Sequence, residues 1–210
     1  MSLIPWYFDP ISPFAWLAWN HLQRAGLRAR MQPRPILFAG LLDHYGNVGP
    51  AEIPSKRQFT YRLVQWRAEE ERIPFHFPPA HPFNPLNALR LCIAAGSTES
   101  AVSSVLEFVW AQGRDPSQPD EATLLAAQLG IEDPAAALTD PRIKQQLRDN
   151  FEAALADGVF GVPTAVFEGQ RYWGDDCVPM LSQAIAEPER FRAAPFSDLD
   201  ELPMGVARKR

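Results

Sequence analysis

The residues best suited to chemistry in this 210-residue chain form the run Asp9-Pro10-Ile11-Ser12-Pro13-Phe14 near its start. A short apolar, strand-like stretch precedes this run, and Pro13 suits the first helical position because its fixed φ fits and its missing N–H would be unpaired anyway. Ser12 then stands at the N-cap, beside unpaired backbone N–H groups and the positive end of the helix dipole. Such a position favours an anion, and a bound thiolate is one candidate. The alternative is that Ser12 only caps the helix.

A second segment with a chemical pattern lies far along the chain, at Gly158–Phe167. It reads as a glycine-flanked loop, a Val162-Pro163 pair and an apolar strand, and a turn at Glu168-Gly169 leads into a second strand. A proline directly before such a strand is a candidate for a cis peptide bond. We therefore predict that the Val162–Pro163 bond is cis and that the N–H and C=O of Val162 face a ligand cleft.

Four motifs together resemble those of the glutathione-dependent branch of the thioredoxin superfamily. The closest likeness is to the 2-hydroxychromene-2-carboxylate isomerases and the kappa-class glutathione transferases, which share a fold with the disulfide oxidoreductase DsbA. The resemblance implies glutathione as cofactor, a small-molecule second substrate and a homodimer. The motifs are Phe-Asp-x-x-Ser-Pro-Phe at 8–14, Gly-Asn-Val-Gly-Pro at 46–50, Gly-Val-Phe-Gly-Val-Pro-Thr at 158–164 and Trp-Gly-Asp-Asp at 173–176.

The resemblance implies a role for Ser12 and for the segment around Pro163. An ordinary thiol has a pKa near 8.5, so an enzyme that uses glutathione must stabilise the thiolate, which is the nucleophile. The Ser12 hydroxyl would do this by donating a hydrogen bond, whereas a cysteine there would form a mixed disulfide. Val162 would pair its backbone with the cysteinyl part of glutathione in antiparallel fashion.

Four further residues match positions at which the family contacts the tripeptide. Asn47 and Lys56 would touch it from the Gly-Asn loop and just beyond, although spacing alone also allows a turn residue and a solvated charge there. Asp175 and Asp176 would receive the γ-glutamyl ammonium, and Asp176 would suit a helix N-cap equally well.

The second substrate is expected to lie against aromatic and polar side chains. Where the chromene carboxylate isomerases offer a lysine before Gly-Asn, this chain has Leu42, and Arg90 is the one cation near the 81–87 segment. Because both positions differ from those of the isomerases, we expect the second substrate to be an electrophilic or isomerisable compound other than the chromene carboxylate. The residues predicted for this pocket are Phe14, Trp16, His44, Asn87 and Arg90.

Composition excludes several classes of function. The net charge of −5 at pH 7 gives no basic face for nucleic acid, and the run Arg208-Lys209-Arg210 is interpreted as a solvated tail. No apolar stretch reaches about 18 residues and no signal peptide is visible, so we expect no membrane span and a cytoplasmic protein. Cys92 and Cys177 form no Cys-x-x-Cys pair, and the histidines show no metal-binding spacing, so we expect neither a redox dithiol nor a metal site.

The order of predicted elements is strand, helix, strand, a long helical block, two strands and a helix. This order predicts an α/β thioredoxin fold with a large all-helical insertion, in which the first, parallel strand pair needs a helix as its crossover. Residues 1–37 and 157–192 would form the thioredoxin-like domain, 38–156 the insertion and 193–210 a C-terminal tail. Strands are predicted at about 3–8, 28–36 and, as a hairpin, 164–173, with helices at 13 to about 25 and 176 to about 186.

Three functions follow from these observations. The first is a glutathione-dependent isomerase, in which the thiolate adds reversibly to a conjugated carbonyl compound, permits bond rotation and leaves. The second is a kappa-like glutathione transferase or peroxidase, in which the same thiolate attacks without being expelled. The third is a catalytically inert thioredoxin-fold binding protein, which the joint presence of the site residues argues against.

Overall fold

A computed structural model describes residues 3–206 of the chain. Within this range four strands form one sheet, in the order β2-β1-β3-β4, and ten α-helices accompany it. The strands are β1 (Ile4–Phe8), β2 (Met31–Pro35), β3 (Thr164–Phe167) and β4 (Gln170–Trp173). The helices are α1 (Pro13–Arg24), α2 (Phe38–Tyr45), α3 (Pro54–Glu70), α4 (Leu86–Ala94), α5 (Glu99–Leu106), α6 (Pro119–Gln128), α7 (Pro134–Thr139), α8 (Pro141–Ala156), α9 (Val178–Ala186) and α10 (Pro188–Arg192).

The sheet brings four chain segments together at one edge, which is formed by the ends of the strands and not by an outer strand. β1 runs parallel to β2 and antiparallel to β3, and β4 pairs antiparallel with β3. In this register Phe8 lies opposite Pro35, while Tyr7 lies opposite Thr164, which in turn faces Trp173. The ends of β1, β2 and β4 and the beginning of β3 therefore meet at the same edge, and the predicted motifs follow or precede these positions.

Buried aromatic side chains fix β1 against its crossover helix. Trp6 stacks on Phe8 of the same strand and on Trp19 of α1, with ring centroids 4.7 and 4.9 Å apart. All three side chains are almost fully buried, and so is Tyr7 on the opposite face of β1, as expected for a strand covered on both faces. The Trp19 indole N–H also donates to the hydroxyl of Ser103 in α5. The core is thus shared between the sheet and the helical segment.

The predicted architecture is confirmed, and two element boundaries are wrong. Described residues 38–156 contain helices and connections but no strand, which agrees with an all-helical insertion. β2 begins at Met31 rather than near residue 28, because Arg28 donates to the Trp19 carbonyl and its guanidinium lies 4.7 Å from the Trp19 ring, so residues 28–30 form a 3-10 turn. α9 begins at Val178, with Cys177 at its N-cap in place of Asp176.

One turn of π-helix interrupts the regular helical geometry at Glu107–Ala111, directly after α5. It carries Trp110, which is fully buried and donates its indole N–H to the Pro10 carbonyl at 2.8 Å. Such turns are rare and often occur near functional sites. Here the turn connects the insertion to the loop after β1.

A buried ion pair joins α3 to the loop after β4. Asp175 is 2% exposed, and its two carboxylate oxygens lie 2.9 and 2.8 Å from Nη1 of Arg67 in α3. Burial raises the pKa of Asp175, while the Arg67 guanidinium opposes the shift. His21 of α1 approaches the Asp175 carbonyl with Nδ1, at 3.0 Å, so three elements converge on this residue.

A second buried carboxylate joins the end of β1 to α2. Asp9 is fully buried and accepts hydrogen bonds from the backbone N–H groups of Ile11 and Phe38, both at 2.9 Å. No cationic side chain lies within 4 Å of it among the described residues. Burial raises the pKa of Asp9 to about 7.

The described part of the predicted tail follows α10. A 3-10 turn at Ser197–Glu201 leads to Leu202, Met204 and Val206, all largely exposed. The basic run Arg208-Lys209-Arg210 lies outside the described residues. Within residues 3–206 no helix has the length and hydropathy needed to cross a bilayer.

We expect Arg67→Met to destabilise the protein strongly, because it leaves the Asp175 carboxylate buried without its partner. Breaking such a pair from one side costs about 3–5 kcal/mol. Arg24→Met is the matched control: Arg24 pairs with Glu71 at the surface, its side chain is 50% exposed, and such pairs contribute about 0–1 kcal/mol. Urea unfolding measures both. Equal losses in the two variants, or no recovery in Arg67→Met/Asp175→Asn, would contradict this account.

The raised pKa of Asp9 predicts how stability depends on pH. The pKa of Asp9 is about 7 in the folded protein and 3.8 ordinarily. Protonated Asp9 therefore makes its full contribution to the free energy of unfolding at pH values below 3.8. This contribution is lost as pH rises from about 4 to about 7. The stability of Asp9→Asn relative to wild type should therefore increase with pH across this window. Urea unfolding at pH 4.5 and pH 8 tests this, and an unchanged difference would show that Asp9 does not titrate there.

Candidate active site

Ser12 and Val162 meet at the sheet edge although 150 residues separate them in the chain. The Ser12 hydroxyl donates to the Val162 carbonyl at 3.4 Å. Ser12 occupies the N-cap of α1, yet its side chain makes no capping hydrogen bond. A contact of 3.4 Å is weak, so the hydroxyl can turn toward a ligand at little cost. The geometry disfavours the interpretation that Ser12 only caps a helix.

The loop that presents Ser12 is held through its backbone. The Asp9 carbonyl accepts from the Ser12 N–H at 3.0 Å, the Pro10 carbonyl accepts from Trp110, and the Ile11 carbonyl accepts from Nε2 of His81 at 2.8 Å. These bonds fix the loop, while the Ser12 hydroxyl stays only weakly engaged.

Backbone donors accompany Ser12 at the same place. The N–H of Phe14, in the first turn of α1, makes no hydrogen bond among the described residues, as expected at a helix start. No acidic residue occupies this first turn. The Val162–Pro163 bond is cis, as predicted, and the Val162 N–H is without a hydrogen-bond partner in the described part of the chain. The site therefore offers two free N–H groups and one hydroxyl.

The loop after β4 adds one exposed carboxylate. The Gly174 N–H donates to the Pro163 carbonyl at 2.9 Å, which fixes this loop beside the cis-proline segment. Gly174 has a φ of +92°, which residues with a Cβ rarely adopt, and a Cβ there would lie 2.7 Å from a carboxylate oxygen of Asp176, so glycine is strongly favoured. Asp176 is exposed and makes no side-chain hydrogen bond within residues 3–206, whereas Asp175 is buried on Arg67. The carboxylate open to a ligand is that of Asp176.

An aromatic pair borders the same segment. Trp173 is 51% exposed and Phe160 is 45% exposed, with ring centroids 5.2 Å apart. A Cβ on Gly161 would lie 2.6 Å from the Trp173 indole nitrogen. Trp173 thus covers the backbone immediately before Val162.

Asn47 and Lys56 lie at the surface on either side of the short connection between α2 and α3. The N–H of Asn47 donates to the Leu42 carbonyl at 2.8 Å and closes α2 after Gly46. Lys56 stands in the first turn of α3 with no acid within 4 Å among the described residues. Both side chains remain available to a ligand, and among the described residues no hydrogen bond joins them to Ser12.

The residues predicted for the second-substrate pocket do not form one group. Trp16 is 3% exposed and donates its indole N–H to the Pro74 carbonyl, so it belongs to the core. Asn87 donates to the Pro116 carbonyl and Arg90 to the Leu138 carbonyl, which anchors α4 within the insertion. Phe14 is half-buried beside Ser12, and His44 is exposed in the last turn of α2.

Sequence reasoning missed a half-buried aromatic group beside the Ser12 loop. His81 directs Nε2 at the Ile11 carbonyl, so this nitrogen carries the proton, and the Tyr61 hydroxyl lies 2.7 Å from Nδ1 and 2.8 Å from the His81 carbonyl, both within donating distance. Burial lowers the pKa of His81, which favours this neutral form. Phe77 packs against Tyr61 at 4.7 Å. No spacing rule connects these residues to Ser12, because the connection runs through a backbone carbonyl.

Neither cysteine has the lowered pKa that a reactive thiolate needs. Cys92 is fully buried, and burial raises its pKa to about 12. Burial and the neighbouring Asp176 also raise the pKa of Cys177. Within residues 3–206 no cluster of His, Cys, Asp or Glu is arranged to hold a metal ion.

Curated proteins similar to this chain carry two kinds of name. The 2-hydroxychromene-2-carboxylate isomerase of Pseudomonas putida is 29% identical over 193 residues, which cover 87% of this chain and 94% of that protein. Human glutathione S-transferase kappa 1 is 26% identical over 202 residues, which cover 86% and 89%. The match therefore extends over most of each protein.

Solved structures support the fold. A 2-hydroxychromene-2-carboxylate isomerase superposes with a TM-score of 0.73 at 24% identity, covering 96% of this chain and 100% of that one. The cytosolic disulfide reductase DsbM from Pseudomonas aeruginosa with GSH superposes with a TM-score of 0.55 at 15% identity, covering 94% and 99%. The family described as DSBA-like thioredoxin domain matches residues 4–186. The chain therefore belongs to the DSBA-like thioredoxin domain family, and it has the thioredoxin fold with a helical insertion.

Proposed function

We propose that this protein is a glutathione-dependent isomerase acting on a conjugated carbonyl or aromatic-derived compound. The observation that carries the proposal is the Ser12 hydroxyl, which is free of any capping bond and lies 3.4 Å from the Val162 carbonyl. The enzymatic names of the relatives, isomerase and glutathione transferase, support an enzyme of this kind.

Ser12 would act by stabilising a thiolate. A hydrogen bond to a charged group contributes about 1.5–3 kcal/mol, which corresponds to a thiol pKa lower by about one to two units. The Phe14 N–H and the positive end of α1 add to this effect. Because the residue is serine rather than cysteine, it cannot form a mixed disulfide. Glutathione, when bound, supplies a nucleophilic thiolate that can add reversibly to a conjugated carbonyl.

The remaining polar groups fit the tripeptide. The unpartnered Val162 N–H and its carbonyl would bind the cysteinyl backbone, as an added strand binds a sheet edge. The exposed carboxylate of Asp176 would receive the γ-glutamyl ammonium, while Asp175, paired with Arg67, would support the loop. Asn47 and Lys56 would contact the tripeptide from the α2–α3 connection.

The second substrate would lie against Phe14 and the aromatic group formed by Tyr61, Phe77 and His81. His81 touches the Ile11 carbonyl, which places this group beside the Ser12 loop. These side chains suit a flat apolar compound. Asn87 and Arg90 are engaged within the insertion, so the pocket would hold no cation from α4 for a substrate carboxylate. This again favours a compound other than the chromene carboxylate.

A kappa-like glutathione transferase or peroxidase is the alternative, and the similarity to the human kappa protein supports it. It would use the same activated thiolate. An inert binding protein is less well supported, because Ser12, the Val162 N–H and Asp176 all present free polar groups at one place.

A homodimer remains part of the proposal. Phe59 and Trp66 of α3 are seven residues apart, on one side of the helix, and are 64% and 58% exposed. Exposed aromatic side chains of this size suit an interface. Sedimentation at micromolar concentration would distinguish a dimer from a single 23.5 kDa species.

We expect Ser12→Ala to separate thiolate stabilisation from binding. Affinity for glutathione in its thiol form should change little, because Val162 and Asp176 remain, whereas the pKa of the bound thiol should rise by about one to two units and the thiolate form should bind correspondingly less tightly. Activity at neutral pH should fall by about ten- to a hundredfold and recover partly at alkaline pH. Thiolate absorbance of bound glutathione against pH measures the shift.

Asp176→Asn is the matched contrast. It should weaken glutathione binding while leaving the pKa of the bound thiol unchanged, since the carboxylate would touch the ammonium and not the sulfur. Identical thiol titrations in wild type and Ser12→Ala would show that Ser12 has only a structural role.

A turnover screen would separate isomerase from transferase. We expect geometric isomers of conjugated carbonyl compounds to interconvert with no net loss of glutathione. Chlorinated aromatic compounds, by contrast, should release little chloride. Chloride release with consumption of glutathione would instead favour the transferase. Failure to bind immobilised glutathione would overturn both.

A further inference from the structure

The buried carboxylate of Asp9 has no part in the proposed chemistry, yet it lies at the root of the Ser12 loop. Its side chain is completely buried and accepts two hydrogen bonds, both from backbone N–H groups. Burying a charged group is costly unless it is paired or hydrogen-bonded. The two donors belong to different elements, so the carboxylate connects those elements.

The first donor is the N–H of Ile11, one residue before Ser12. This bond from residue i+2 closes a turn of the Asx type, in which a side chain replaces a backbone acceptor. The Asp9 carbonyl accepts the next N–H along, that of Ser12, at 3.0 Å. Asp9 therefore sets the path of the chain that presents the Ser12 hydroxyl.

The second donor is the N–H of Phe38, the first residue of α2 and 29 residues further along the chain. The N-cap of α2 is Leu37, whose side chain cannot accept a hydrogen bond. Asp9 thus accepts, from a distance, one of the N–H groups that a helix start leaves without a partner in the helix. Its carboxylate also lies at the positive end of the α2 dipole.

These two bonds connect both sides of the proposed glutathione site. The loop before α1 carries Ser12, and α2 ends at Gly46 with Asn47 directly after it. We propose that Asp9 is a positioning residue, whose carboxylate clamps the Ser12 loop to the start of α2 and so sets the separation of Ser12 and Asn47. The proposal rests on the proposed function for what the two residues bind, but not for the clamp itself.

The variants Phe38→Pro and Phe38→Ala isolate the clamp. Both remove the Phe38 ring, but only proline removes the N–H that Asp9 accepts. Proline is well tolerated at the first helical position, and Leu37, at φ −84° and ψ 110°, already has the extended backbone that precedes proline. Any difference between the two variants therefore reports on loss of the Asp9–Phe38 contact, because the proline ring removes the N–H and also occupies the position of the carboxylate oxygen that accepts from it. Asp9 itself is retained in both variants.

Hydrogen exchange in the protein without glutathione measures the clamp directly. We expect amides at 40–46 to exchange about tenfold faster in Phe38→Pro than in Phe38→Ala, as expected for loss of one buried hydrogen bond to a charged group. Amides of α6, which lies away from α2, serve as internal controls and should not change. Equal exchange at 40–46 in the two variants would overturn the clamp.

Glutathione titrations measure the consequence for the site. The pKa of the bound thiol should be higher in Phe38→Pro than in Phe38→Ala by about half a unit to one unit, with affinity weaker by about threefold to tenfold. Faster exchange with identical thiol pKa and affinity would show a purely structural bond and overturn the positioning role. If wild type binds no glutathione, the proposed function fails, while the exchange measurement still decides the clamp.

A second pair of variants tests the carboxylate itself. Asp9→Asn should speed exchange of the amides at 40–46, because it replaces one acceptor oxygen by an amide donor. Asp115→Asn is the matched control, since Asp115 is also a buried Asp-Pro residue that accepts the N–H two residues on, at 2.9 Å from Ser117. Equal effects of the two substitutions on exchange at 40–46 would indicate general loosening and contradict the proposal.

Discussion

The pairing of β1 with strands on both sides is the constraint on which the rest of the structure depends. Its parallel pairing with β2 and antiparallel pairing with β3 decide that Ser12, Val162 and the loop after β4 share one sheet edge. A shift of one residue would also turn the Trp6 and Phe8 faces over, which the packing of Trp6 on Trp19 forbids. Core packing therefore fixes the geometry of the site, and few contacts between the site residues themselves are needed to hold them in place.

Much of this arrangement could be predicted from local sequence. Pro13 and Gly26 mark the limits of α1, Glu168-Gly169 marks the hairpin, and Asp140-Pro141 marks the start of α8, because each residue has a backbone preference that acts at its own position. The resemblance of the motifs was enough to bring Ser12 and Val162 together in the prediction. Each of these predictions depends on a few neighbouring residues, or on a motif that resembles that of a known family.

The features that could not be predicted depend on contacts between residues that are far apart in the chain. Asp175 and Asp176 are adjacent acids, and nothing in the sequence shows that Arg67, 108 residues away, pairs with the first and leaves the second exposed. Trp16 has the composition of a pocket residue, but the Pro74 carbonyl accepts its N–H in the core. The predicted start of α9 is also wrong. Asp176 has the residue type of an N-cap, but the turn after Gly174 is longer than expected and places Cys177 at the N-cap.

The sheet is assembled from the two ends of the chain, with the insertion between them, and this affects the order in which the protein can fold. The Ser12–Val162 contact closes a loop of 150 residues, and the entropy of closing a loop rises with its length, by about 0.6 kcal/mol per doubling. Helices of the insertion, in contrast, form through local contacts that are rapid. We therefore expect the insertion to become ordered first and to bring β1 and β3 within reach of each other. The candidate site would then be completed last, and a nascent chain could not acquire it before β3 and β4 had been synthesised.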